Sequence, residues 1–239
     1  MKADIKALNQ SETEAFVREQ GLEPYRAKQI RQWIFKGLVT GFHEMTNIAK
    51  KVRNQLEEKA YLTNLVILES EVSKDHTTKF LFRLGDGHTI ESVLIPERGH
   101  LTLCISSQAG CAMGCRFCLT ASQGLRRNLD ASEIMEQVIQ VKRSMASPDR
   151  LTNIVFMGMG EPLANYEAVK RAVINLVSED GMNFSRRRVT VSTCGGTRKA
   201  PSSGAPAISR TWAPDRCRVS ASATRRFRRM WPRPMASWE

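Results

Sequence analysis

Three cysteines within eight residues constrain this sequence more than any other feature. Cys111, Cys115 and Cys118 are separated by three residues and then by two. A closed tetrahedral zinc site takes four protein ligands, whereas each coordinated iron of an iron–sulfur cube takes one thiolate, so three thiolates leave one iron open. Gly110 and Gly114 allow the backbone to curl around a bulky inorganic group. The spacing therefore predicts a cluster-binding loop with one iron available for chemistry.

Two other interpretations of these cysteines stay open at this point. A structural zinc knuckle would need a fourth ligand, but Cys194, Cys217 and the histidines show no paired spacing with the three cysteines. Buried, unreactive thiols are the remaining possibility. Metal ligation or thiol chemistry is favoured over disulfides, because the six cysteines of a cytoplasmic chain are reduced by default.

The composition indicates a globular protein of the cytoplasm. The chain has 239 residues and 41% hydrophobic content, which suffices for one large domain or two modest ones. No apolar run approaches the roughly 18 residues of a membrane span. The amino terminus is polar and leads into no hydrophobic signal region. We therefore expect a cytoplasmic localisation and no membrane partner.

The positive charge is concentrated in residues 195–239. Of the net charge of +12, this segment carries +8 and residues 1–194 carry +4. It contains no leucine, holds three of the four tryptophans and shows no helical or strand period. Because the composition changes abruptly after Cys194, inside a patterned α/β region, we interpret the segment as an aberrant, disordered tail produced by a frameshift. A basic nucleic-acid-binding arm, centred on Arg225 and Arg229, is the alternative.

Residues 1–62 are predicted to form a helical module. The pattern Ser-Glu-Thr-Glu at residues 11–14 has the form of a capping box and opens the first helix. The three helices are expected at residues 12–20, 24–37 and 47–60. Their polar faces carry the basic side chains Arg26, Lys28, Arg31, Lys36, Lys50, Lys51 and Arg53. We interpret the module as RNA-binding, since exposed lysines and arginines attract phosphates, with a merely solvated surface as the alternative.

Strand patterns follow in residues 63–97, which we expect to form a connecting β-hairpin. The three strand-like segments are residues 64–69, 79–84 and 89–95, and the last two flank the turn Gly85-Asp86-Gly87-His88.

Residues 98–194 alternate strand, loop and helix. After the cysteine loop the pattern predicts a helix over residues 131–144 capped by Asp130, a strand over 151–157, a helix over 166–177 and a strand over 188–193. This alternation is typical of a parallel barrel or an open α/β sheet, in which the loops at the carboxyl ends of the strands carry the site. The cysteine loop and the loop at residues 158–162 are both expected there.

Four linked motifs lie at residues 102–111 (TLCISSQAGC), 124–129 (GLRRNL), 157–163 (MGMGEPL) and 187–193 (RRVTVST). In this order they resemble the RlmN family of the radical S-adenosylmethionine superfamily. Together with the cysteine spacing, the resemblance covers about residues 10–194. It implies a partial (β/α) radical SAM barrel over residues 98–194 and methylation of adenine C2 in 23S ribosomal RNA and transfer RNA. It also implies a reducing electron donor such as flavodoxin or ferredoxin.

The resemblance implies a set of cofactor-binding residues. The ligands of a [4Fe-4S] cluster would be Cys111, Cys115 and Cys118. The contacts to S-adenosylmethionine would be Gly160, Glu161 and Ser192, with Glu161 facing the ammonium group of the ligand. In isolation, residues 158–162 would be an ordinary strand-to-helix turn.

Two further residues would take part in the reaction. Adenine C2 is too weak a nucleophile to take a methyl group by direct displacement, and in this family a carboxyl-terminal cysteine first carries the methyl group to the base. Glu91 matches the proton acceptor. Cys104 matches the cysteine that attacks the sulfur of this methyl-carrying cysteine to release the product. The attack requires thiolate character. Without the resemblance, Cys104 would be a small core residue and Glu91 an exposed strand residue.

The sequence departs from the family after Cys194. No motif in residues 195–239 matches the methyl-carrying cysteine or the later barrel strands, and neither Cys194 nor Cys217 can be given that role. We therefore expect a truncated, inactive, monomeric chain whose barrel stops after its third strand. The alternatives are an adenine-C8 (Cfr-like) methyltransferase, which the pattern MGEP at residues 159–162 disfavours, and a catalytically dead RNA-binding fragment.

Overall fold

A six-stranded mixed sheet lies at the centre of the fold. The computed structural model describes residues 2–115 and 118–193. The predictions for Cys194, Cys217 and residues 195–239 lie outside the described residues. In the described part of the chain, no helix is both long and apolar enough to cross a membrane.

Ten strands and six α-helices form the regular structure of the described residues. The strands are β1 (Ala3–Asp4), β2 (Ala60–Tyr61), β3 (Val66–Val72), β4 (Thr78–Arg83), β5 (Thr89–Glu97), β6 (His100–Cys104), β7 (Gln108–Gly110), β8 (Leu125–Asn128), β9 (Leu151–Phe156) and β10 (Val189–Val191). The α-helices are α1 (Gln10–Glu19), α2 (Tyr25–Phe35), α3 (Lys50–Lys59), α4 (Leu119–Ser122), α5 (Ala131–Ser144) and α6 (Tyr166–Val177). Short 3-10 helices lie at Ile5–Ala7, Phe42–Glu44, Pro148–Arg150, Pro162–Asn165 and Arg186–Arg188.

The central sheet has a parallel half and an antiparallel half. Its strand order is β10-β9-β6-β5-β4-β3. β6, β9 and β10 are parallel, and β5, β4 and β3 continue the sheet as antiparallel neighbours. Helices α5 and α6 follow β8 and β9 in the chain, and their apolar faces share one hydrophobic core with the sheet. The predicted hairpin and the predicted α/β alternation are both confirmed.

The amino-terminal module contains the three predicted helices, but none of them starts at the predicted residue. Asn9, not Ser11, caps α1: its Oδ1 accepts the N–H of Glu12 at 3.0 Å, and Glu12 Oε2 accepts the N–H of Asn9 at 2.9 Å. The capping box therefore lies ahead of the expected one. The side chain of Asn47 accepts the indole N–H of Trp33 at 2.6 Å, and α3 begins later, at Lys50.

Two ion pairs join the module to α5 and to the segment that follows α6. Lys6 Nζ lies 2.6 Å from Glu136 Oε2 in α5, and both side chains are fully buried. Arg31 pairs with Asp180 and donates to Asn175 Oδ1 at 2.9 Å. The sequence predicted Arg31 on the polar outer face of its helix, which is wrong, because the guanidinium is buried. These partners offset the hydration that the two cations lose.

The cysteine loop is held by a small hairpin that the sequence did not predict. β7 and β8 pair antiparallel outside the central sheet, and residues 111–124 connect them. Gly110 has a φ of +80°, and a Cβ at this position would lie 1.9 Å from the carbonyl oxygen of Gly124. Only glycine fits this close approach of the two backbones.

Candidate active site

The carboxyl ends of β6, β9 and β10 lie at one edge of the sheet, and the loops after them are packed together. The N–H of Gly158 donates to the carbonyl of Ile105 at 3.1 Å, and that of Ser192 donates to the carbonyl of Phe156 at 3.4 Å. A Cβ at Gly158 would lie 2.6 Å from Ser106 Oγ. The structure therefore brings the cysteine loop, the loop at residues 158–162 (the glycine loop) and Ser192 to the same edge, as the alternation of strands and helices predicted for the two loops.

The three cysteines of the cysteine loop differ in burial. Cys111 is buried, and its N–H donates to the carbonyl of Gly124 at 3.0 Å. Cys115 and Cys118 are half-buried, and the N–H of Cys118 donates to the carbonyl of Cys115 at 3.0 Å. Burial raises the pKa of the Cys111 thiol, and the nearby Cys118, Cys115 and Glu161 raise it further. Cys115, Cys118 and Glu161 are therefore close enough to Cys111 to influence its ionisation.

Among the described residues, no group of three or more histidine, cysteine, aspartate or glutamate side chains is arranged to hold a metal ion. Ligation of a cluster by all three thiols stays a prediction. The donor set itself fits an iron–sulfur cluster, since three soft thiolates in one loop suit iron and leave one iron without a protein ligand.

Glu161 is a buried carboxylate that directly precedes the 3-10 helix Pro162–Asn165. It is only 4% exposed, and its Oε1 accepts the N–H of Leu163 at 3.0 Å. Its own backbone N–H donates to Gln108 Oε1 at 2.8 Å. Gly160, just before it, has a φ of +99° and would bring a Cβ within 2.6 Å of the Gln108 side chain. A buried carboxylate of this kind suits a cationic ligand group.

Two hydroxyl groups at this edge are buried without a hydrogen-bond partner among the described residues. They belong to Ser107, in the loop after β6, and to Ser192, after β10. Buried hydroxyls are normally satisfied, so an orphaned one at this edge of the sheet fits a site that a polar ligand completes. The burial of Glu161 and the free hydroxyl of Ser192 both fit S-adenosylmethionine, as the resemblance implies.

Glu91 and Cys104 lie on the same face of the central sheet. Val93 in β5 is paired directly with Cys104 in β6, and Glu91 precedes Val93 by two residues on the same strand. Cys104 is 1% exposed, and burial raises the pKa of its thiol to about 12. Burial also raises the pKa of the half-buried Glu91, while Lys79 opposes the shift. Both groups are therefore held toward their neutral forms.

Two family models match the chain on either side of the antiparallel strands. Residues 3–62 match the ribosomal RNA large subunit methyltransferase N-terminal domain, and residues 105–203 match the radical SAM superfamily. The dual-specificity RNA methyltransferase RlmN of Geobacter sulfurreducens is 52% identical over 192 residues, which cover 80% of this chain and 52% of that protein. A probable dual-specificity RNA methyltransferase RlmN of Aquifex aeolicus is 51% identical over 177 residues, covering 74% of this chain and 50% of that protein.

This chain belongs to the RlmN family. It spans about half the length of the curated relatives that it matches. The crystal structure of a radical SAM methyltransferase from Sphaerobacter thermophilus is similar to it, with a TM-score of 0.75 and 43% identity over 80% of this chain and 57% of that one. The three parallel strands are thus the partial radical SAM fold that the motifs predicted.

The RlmN-family motifs do not reveal how the strand-end loops are supported. Gln137 in α5 does this: its Oε1 accepts the N–H of Ser106 at 2.8 Å, and its Nε2 donates to the carbonyl of Ser106 at 3.0 Å. Ser106 Oγ in turn donates to the carbonyl of Glu91 at 2.6 Å and accepts the N–H of Met159 at 2.8 Å. The sequence gives only a weak signal for this role, because Gln137 is one of several buried polar residues of α5, with Glu133 and Glu136.

Proposed function

We propose that this chain is the cluster-binding and S-adenosylmethionine-binding part of an RlmN-type RNA methyltransferase that acts on adenine C2 of 23S ribosomal RNA and transfer RNA. The observation that carries the proposal is the meeting of three features at one sheet edge: the cysteine loop, the buried Glu161 and the orphaned hydroxyl of Ser192. When bound, the cluster and S-adenosylmethionine supply radical chemistry, with electrons from a flavodoxin or ferredoxin.

The residues of this chain would divide the work as follows. Cys111, Cys115 and Cys118 hold the cluster, and Glu161 and Ser192 orient the methionine end of S-adenosylmethionine. Further along the sheet, Glu91 accepts the C2 proton, for which its raised pKa is suitable because a base works best near the ambient pH. Cys104 would first lose its proton to a base and then attack the sulfur that links protein to RNA. A disulfide with the methyl-carrying cysteine would form as the carbon–sulfur bond breaks, and the released carbon would take up a proton to become the methyl group.

The module of residues 1–62 would bind folded RNA through its backbone. Exposed lysines on its helices present positive charge to solvent: Lys28, Lys36, Lys50 and Lys51. Lysines attract phosphates without reading sequence, so shape and backbone would guide the RNA. The target adenine would leave the base stack to reach the sheet edge.

Anaerobic reconstitution with iron and sulfide tests the cofactor assignment. We expect the parent chain to bind about four irons and four sulfides, and we expect Cys115→Ala to lose most of both, because one thiolate ligand is gone. Cys104→Ala is the matched control, since it removes a cysteine outside the loop and should retain the cluster. A Cys115→Ala chain that holds as much iron and sulfide as the parent would rule out the cluster ligands proposed here.

Turnover by the 239-residue chain is a separate question, because the matching residues cover only 52% of the Geobacter sulfurreducens relative. The methyl-carrying cysteine of the family has no identified counterpart in this sequence. We therefore predict that the reconstituted chain, given S-adenosylmethionine, a reductant and 23S ribosomal RNA, forms no 2-methyladenine. Detection of 2-methyladenine by mass spectrometry would contradict this prediction. Detection of 8-methyladenine would point instead to the adenine-C8 (Cfr-like) methyltransferases. If the chain binds RNA and forms neither product, the result would support the alternative of a catalytically dead RNA-binding fragment.

A further inference from the structure

Gln108 connects the two loops that carry the proposed cofactor-binding residues. Its side chain is 1% exposed. Its Oε1 accepts the backbone N–H of Glu161 at 2.8 Å, and its Nε2 donates to Asn128 Oδ1 at 2.7 Å. We propose that Gln108 is a positioning residue that fixes Glu161 relative to the cysteine loop. This inference rests on the proposed function of the site.

On one side, Gln108 belongs to the base of the hairpin that holds the cysteine loop. It is the first residue of β7 and is paired with Asn128 of β8, and the strand leads directly into Cys111. The hydrogen bond to Asn128 therefore ties the side chain of Gln108 to the same two strands whose far end carries the proposed cluster ligands.

On the other side, Gln108 is in close contact with the glycine loop. A Cβ on Gly160 would lie 2.6 Å from Gln108 Cβ and 2.7 Å from its backbone nitrogen. The backbone of Gly160, which has a φ of +99°, therefore packs directly against Gln108. The carbonyl of Met159 also accepts the N–H of Gln108 at 3.2 Å. The position of Gln108 therefore determines the position of the backbone that leads into Glu161.

The amide group is suited to this bridge because its two ends differ. The N–H of Glu161 needs an acceptor, which sets the amide oxygen on that side and leaves the NH₂ to donate to Asn128. A thioether of the same length would serve neither partner, and it would leave a buried N–H unsatisfied. A carboxylate would keep the acceptor for Glu161, and the amide of Asn128 can turn to donate to it.

The consequence is a separation of two binding events. Among the described residues, the side chain of Gln108 is hydrogen-bonded to Asn128 and Glu161 and not to the thiols that would ligate the cluster, so its loss should leave cluster assembly intact. Its loss should release the backbone at Glu161, whose carboxylate would then face the ammonium group of S-adenosylmethionine less well. A role confined to general stability would weaken both events together.

The test compares Gln108→Met with the parent chain at its full 239 residues. In the cofactor-free protein, hydrogen exchange of the Glu161 amide should become faster. After anaerobic reconstitution, the iron and sulfide content should match the parent, while the Kd for S-adenosylmethionine in equilibrium dialysis should rise about tenfold. Unchanged amide exchange or an unchanged Kd would overturn the proposal.

Three further variants keep the test decisive. Gln108→Glu should restore slow exchange at Glu161. Gln55→Met, which removes a 2.7 Å hydrogen bond to Gln20 within the module, should behave like the parent in every measurement. If Gln108→Met fails to fold by circular dichroism, Gln108→Asn takes its place with the same expected losses, because its amide cannot span both partners. If the parent binds neither cluster nor S-adenosylmethionine, the proposed function fails, whereas amide exchange still decides whether Gln108 fixes Glu161.

Discussion

Burial sets the proton state of single side chains in this molecule. Burial raises the pKa of Cys104 from 9.0 to about 12, although a hydrogen bond with the backbone of Met157 opposes the rise. The pKa of Glu91 is raised for the same reason, and the neighbouring Glu71 adds to the effect. The raised pKa brings Glu91 closer to the range of a useful base, but it keeps Cys104 a thiol. The proposed attack by Cys104 therefore needs a base that takes the proton of the thiol.

Cys104 should consequently resist alkylation in the folded protein. A pulse of iodoacetamide at pH 8, followed by mass spectrometric mapping, should label the half-buried Cys115 and leave Cys104 unmodified, because the thiolate is the reacting form. Labelling of Cys104 should increase up to about pH 12 instead of levelling near pH 9, since the folded-state pKa is the higher one. In concentrated urea both cysteines should react alike. Equal labelling rates in the folded protein at pH 8 would contradict the buried, neutral thiol.

At the scale of elements, local patterns predicted most helices and failed where distant partners decide. α5 begins as its sequence indicates, with the N–H of Asp130 bonded to Glu133 Oε2 at 2.9 Å. The hairpin of β7 and β8 was missed because its strands are short and its pairing depends on the contact of Gly110 with Gly124, across a loop. Arg31 was misplaced because its partners lie in α6 and beyond, far along the chain.

The candidate site shows the same division between local pattern and distant contact. The linked motifs indicated Glu161 and Ser192 from resemblance, and the strand–helix alternation placed their loops at one edge. The supporting amides, Gln108 and Gln137, belong to no chemical pattern that spacing alone reveals. Their importance depends on which backbone groups they satisfy, and those groups come from loops that only the folded sheet brings together.

For the molecule as a whole, buried polar contacts make the helical module and the sheet one structure. Lys6 in the module pairs with Glu136 in α5, and its Nζ also donates to the carbonyl of Thr63 at 2.7 Å. Burial lowers the pKa of Lys6, while the carboxylate of Glu136 opposes that shift. Arg31 makes the second connection, to Asp180. The orientation of the proposed RNA-binding surface relative to the sheet edge is therefore fixed by these pairs.

Removing one member of the fully buried pair should destabilise the whole molecule. We expect Lys6→Met to lower the free energy of unfolding by about 3–5 kcal/mol, because it leaves Glu136 buried without a cation. Urea denaturation followed by circular dichroism measures this change. The matched control is Lys170→Met, which breaks a surface pair with Glu167 at 3.8 Å and should cost less than about 1 kcal/mol. The double variant Lys6→Met with Glu136→Leu should recover much of the loss, since no charge stays buried alone. A Lys6→Met chain as stable as the control would show that the pair does not hold the module to the sheet.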